Sequence, residues 1–158
     1  MMNRITRALA LMGIIIAFGI PAAAAAPAVD PNHKTIEGVD VYLGLLPAES
    51  VRDEFPGGSP ESSMHRGVPK HAGYYHVNVS LFNSKTHAPI SDARVAVRVE
   101  EVGSAGESKK LELMKISNVM SYGNYFKMAG KGPYWIKVQI QMPGVAKIIK
   151  AQFEHRNY

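Results

Sequence analysis

The sequence predicts an all-β domain, an immunoglobulin-like antiparallel β-sandwich of about seven strands. Three observations carry that expectation. Several segments alternate apolar and polar residues with period two, turn-forming Gly and Pro separate them, and no stretch has the 3.6-residue period of an amphipathic helix. A small closed barrel is the other architecture with this pattern.

Val39–Leu46 (VDVYLGLL) reads as the first strand. Tyr75, Val77, Val79 and Leu81 alternate with His76, Asn78, Ser80 and Phe82, which makes the second and puts His76 on its outward phase. Ala93, Val95, Val97 and Val99 alternate with Arg94, Ala96 and Arg98 in the third. Lys110–Ile116 and Tyr122–Met128 are two more, Gly123 marking a bulge or bend in the latter. Ile136, Val138, Ile140 and Met142 alternate with Lys137, Gln139 and Gln141, and Ala146–His155 closes the chain. Pro47–Gly73 shows no periodicity and reads as a long loop, a length that often goes with function.

The N-terminus has another character. Arg4 and Arg7 precede an apolar stretch from Ala8 to Ile20, and Pro21 and five alanines follow. That is the layout of a cleaved secretory signal over residues 1–25. The apolar stretch is shorter than the roughly 20 residues a membrane-spanning helix needs. Residues 26–36, with Pro27 and Pro31, read as a disordered lead, and residues 37–158 as one domain. The expected location is the periplasm.

The chain has no Cys, so disulfides, thiolate metal sites and thiol nucleophiles are excluded. Without Arg4 and Arg7 its 18 basic and 13 acidic residues leave a net charge of +3, too little to argue for nucleic acid. No phosphate-binding, dinucleotide, nucleophile-elbow or zinc-protease motif is present, and a non-enzymatic role is expected.

The residues that could carry chemistry are His and Met. Met64, His65, His71 and His76 lie within 13 positions, in or beside the long loop. Met114 shares a strand face with Glu112, and Met120 precedes Ser121-Tyr122-Gly123. Imidazole suits copper, zinc and iron, and thioether suits Cu(I), so this mixture without Cys points towards copper. Each piece also has an ordinary reading: a loop His is commonly a solvated side chain, and a strand Met fills core space, as expected of Met128 and Met142. Tyr122, Tyr125, Phe126, Tyr134 and Trp135 could instead form an aromatic patch, and the domain would then be an envelope structural or interaction module binding a protein partner without metal.

Three stretches together, VDVYLGLLP from Val39, MHRGVPKHAGYYH from Met64 and LELMKISNVMSYGN from Leu111, resemble the periplasmic iron-transport accessory family. Those copper-binding antigens work beside inner-membrane iron permeases. The resemblance implies an immunoglobulin-like fold, a copper or iron ion as ligand, a role in metal uptake or delivery, an inner-membrane metal permease as partner and a homodimer. It implies His65, with His71 or His76, and Met114 as metal ligands, Met64 and Met120 standing in reserve. Ser121 falls where the family has a His, and Arg66 and Gly67 follow His65 where an acidic residue is expected.

Overall fold

The computed structural model describes residues 30–54, 63–116 and 118–157, and the expected signal over 1–25 lies outside them. Among the described residues, nine strands and one short helix are present, in the order β1 His33–Ile36, β2 Val39–Pro47, α1 Ala48–Glu54, β3 Tyr74–Asn83, β4 Arg94–Glu101, β5 Glu107–Lys110, β6 Glu112–Ile116, β7 Val119–Lys127, β8 Tyr134–Gln141 and β9 Ile148–His155. They form two antiparallel sheets, β1-β2-β3-β7-β6 and β5-β4-β8-β9. The fold is the all-β sandwich that the alternation predicts.

The core lies between the sheets. Val41, Val77, Val79, Leu81 and Phe126 of the first sheet face Val97, Ile136, Val138, Ile140 and Phe153 of the second, all fully buried or nearly so. These are the apolar phases of the alternating segments, since period two sends every second side chain to one face. Met128 belongs to this core and Met142 packs against it. The Tyr122 hydroxyl reaches across the edge of the core, accepting a bond from the Ala93 N–H at 3.1 Å and donating to the Ile90 carbonyl at 3.2 Å.

The two strands beyond the expected seven have local causes. Residues 33–36 of the segment read as a disordered lead form β1, paired with β2 from His33–Tyr42 to Ile36–Val39. Glu37 and Gly38 make the connecting two-residue turn, both with positive φ, the arrangement that matches strand twist in a hairpin. The segment 110–116, read as one strand, divides at Leu111. Its N–H bonds to the Val95 carbonyl of the second sheet, and the chain then passes to the first sheet as β6.

The loop 47–73 also carries structure. Helix α1 follows β2 directly and packs on β2 and β3, burying Ala48 and Val51. A tight 3-10 turn at Met64–Arg66 packs on β7. The Arg52 guanidinium donates to the Pro69 carbonyl, tying helix to turn segment. Helix α1 and this turn thus cover one end of the first sheet's outer face.

Candidate metal centre

The centre is built on that covered face, from three neighbouring strands and the turn above them. In register, β3 places Asn78 opposite Gly123 of β7, and β6 places Glu112 opposite Gly123 and Met114 opposite Ser121. Because side chains alternate, His76, Gly123, Glu112 and Met114 all belong to the face turned away from the core. His76 is therefore on the outward phase, as its strand pattern predicts. It is nevertheless only 3% exposed, because the turn segment lies over it.

Gly123 sits in regular strand pairing on both sides and makes no bulge, contrary to the expectation from sequence. Its reason is space. A Cβ there would stand 2.5 Å from His76 Nε2 and 2.5 Å from Met114 Sδ, closer than such atoms approach. The imidazole nitrogen and the thioether sulfur thus converge over a strand position without a side chain. They can be no further apart than the sum of those two distances.

His65 closes the cluster from above. Its φ of 57° and that of Arg66, 67°, lie in the left-handed region that non-glycine residues seldom adopt, and Gly67 follows with φ 92°. His65 exposes its backbone while its side chain is 1% exposed. The ring lies 5.3 Å from that of His76 and 5.9 Å from that of Tyr125, with His76 and Tyr125 4.9 Å apart, centroid to centroid. His65 Nδ1 pairs with Glu112 Oε2 at 3.0 Å, whereas His65 Nε2 is buried and has no hydrogen-bond partner. A buried, unpartnered ring nitrogen is costly unless something binds it.

The electrostatics favour neutral rings. Burial pushes the His76 imidazole down to about 4, the neighbouring His65 adding to the effect. Burial also lowers His65, and the Glu112 carboxylate opposes it in part. Burial raises the Tyr125 phenol, so its hydroxyl keeps its proton. Two neutral imidazoles and a thioether are the donor types copper takes, and the gap over Gly123 gives an ion room. Among the described residues no three His, Asp, Glu or Cys converge as a metal cluster, so Met114 is needed to make a third donor.

Of the six residues singled out by sequence, the structure brings His65, His76 and Met114 together. Met64 shares the turn with His65 and is half-buried, and His71 is exposed on the segment leading to β3. Met120 lies on the same phase of β7 as Tyr122 and Phe126, the core-facing side, opposite to Gly123. Gly123 and Glu112 are additions. The signal for Gly123 was present as a glycine inside a strand, which marks close approach as often as a bulge. Of the five aromatics singled out by sequence, Tyr122, Tyr125, Phe126 and Tyr134 are each 4% exposed or less and Trp135 is half-buried.

No family model matches this chain, and no curated protein matches it in sequence. Solved structures share its fold. Copper-bound FetP of uropathogenic Escherichia coli, in a variant form, superposes with a TM-score of 0.60 at 15% identity, over 78% of this chain and 92% of FetP. A copper-bound variant of P19 from Campylobacter jejuni gives 0.58 at 16% identity, over 80% and 93%. A DUF4426 family protein of Pseudomonas aeruginosa gives 0.57 at 12% identity, over 80% and 93%. FetP and P19 fit the resemblance read from the sequence, and at these identities the likeness establishes the fold.

Proposed function

We propose that this protein binds copper in the periplasm and carries it for uptake or delivery, with His65, His76 and Met114 as the ligands. One observation carries the reading: His76 Nε2 and Met114 Sδ meet over the gap that Gly123 leaves, beneath a buried His65 whose Nε2 has no other partner. The copper-bound state of FetP and P19 supports it, since both share this fold. Copper is preferred to iron because a thioether and two imidazoles, without a carboxylate donor, form a soft set. The ion is cargo rather than a structural metal. The apolar core closes between the sheets, and the centre lies on the outer face, where folding has no need of it. Handover to an inner-membrane permease would complete the delivery role, the transfer starting at the turn Met64–Arg66 that roofs the centre.

Metal analysis after dialysis against copper tests this. The parent retains one copper per chain, and the double variant His65→Ala, His76→Ala retains none. A parent without copper, or a double variant that keeps it, contradicts the reading.

A further inference from the structure

We infer that the centre selects monovalent soft cations, Cu(I) and its redox-inert congener Ag(I), over Cu(II). The inference rests on the copper reading above and specifies which copper ion it concerns.

The first argument is the donor set. His76 Nε2, Met114 Sδ and His65 Nε2 are all uncharged donors, and three is a number Cu(I) accepts. Cu(II) prefers a tetragonal set of nitrogen and oxygen ligands. The nearest carboxylate, Glu112, is on the other side of the His65 ring, engaged with Nδ1 and 60% exposed to solvent. The remaining neighbours on that face, Asn78, Ser121 and Tyr125, bring only neutral oxygens.

The second argument is charge. The cost of burying an ion rises steeply with its charge, and a dication needs anionic partners to offset it. This centre offers little such offset, and the Arg52 guanidinium is near enough to act on the Tyr125 phenol. Glu112 is the one acid in contact with the cluster among the described residues. A monocation fits there at much lower cost than a dication.

The test is competition of the purified protein against a Cu(I)-specific chelator, bathocuproine disulfonate, and separately against glycine for Cu(II), with Ag(I) titrated by calorimetry. The expected result is one Cu(I) or one Ag(I) per chain, with affinity for Cu(I) above that for Cu(II) by on the order of a hundredfold or more. Met114→Leu should weaken Cu(I) and Ag(I) and leave Cu(II) nearly unchanged. Equal affinity for the two copper ions, or an equal loss of both in Met114→Leu, overturns the selectivity and leaves the copper reading standing. If no ion binds in either state, the copper reading itself fails.

Discussion

Glu112 holds His65 by one ring nitrogen, Nδ1 to Oε2 at 3.0 Å, and so leaves Nε2 as the nitrogen turned to the buried side. A carboxylate on the outer nitrogen of a ligand imidazole fixes its tautomer and raises its basicity. Glu112→Gln should therefore weaken copper binding by about 10- to 100-fold. It should leave stability almost unchanged, since Glu112 is 60% exposed and water-screened pairs contribute about 1 kcal/mol or less. Chelator competition and a urea midpoint on the same sample check both halves. An unaltered copper affinity would show that Glu112 does not orient the ring.

Stability without metal should depend on pH through His76. Unfolded, its imidazole takes up a proton near 6.5; folded, it stays neutral down to about 4. Between those values the unfolded chain binds more protons, so stability falls as the pH drops through this window. The full penalty is about 3 kcal/mol, absent above pH 7 and complete by about pH 4. Urea midpoints of the metal-free protein from pH 7.5 to 4 should fall more steeply than those of His76→Gln. Parallel slopes would contradict the burial argument.

Tyr122 tests the join between the sheets. Tyr122→Phe removes the acceptor of the Ala93 N–H and the donor to the Ile90 carbonyl while keeping the ring in the core. A buried N–H left without a partner costs about 1–3 kcal/mol. The urea midpoint should drop accordingly, with copper binding retained. A drop in copper affinity of the same variant would mean that the centre depends on the β3–β4 connection.

Phe126 tests the core itself. It is fully buried on the inner face of β7, the strand that carries Gly123 on its outer face. Phe126→Ala should cost about 3–5 kcal/mol by thermal or urea unfolding. A cost below 1 kcal/mol would be inconsistent with a closed apolar core.

The strands and their faces were legible because alternation maps onto burial: Val77, Val79 and Leu81 on one side of β3, His76 and Asn78 on the other. That same rule assigns His76 to the outside, and it could not foresee that the turn at Met64–Arg66 would lie over it and bury it. A loop without periodicity carries no signal for where it docks. His71 and His65 look equivalent in sequence, and only the left-handed turn at His65 and Arg66, anchored near Arg52 and Pro69, distinguishes them. Met120 was singled out by its nearness to Ser121-Tyr122-Gly123, and nearness along the chain does not tell that it shares the core-facing phase of Tyr122 and Phe126. The hairpin Glu37-Gly38 was hidden by the two prolines that precede it.

Gly123→Ala is the most direct test of the central claim. Its backbone is ordinary strand, and the atoms nearest the added methyl belong to side chains, His76 and Met114, so the sandwich should persist at a cost in stability that a urea midpoint of the metal-free variant reads. The methyl would occupy the gap between the donors. A chelator-competed copper titration of this variant beside the parent should show one tight copper in the parent and none in the variant. Equal binding by the two proteins would mean that copper, if it binds, does so elsewhere.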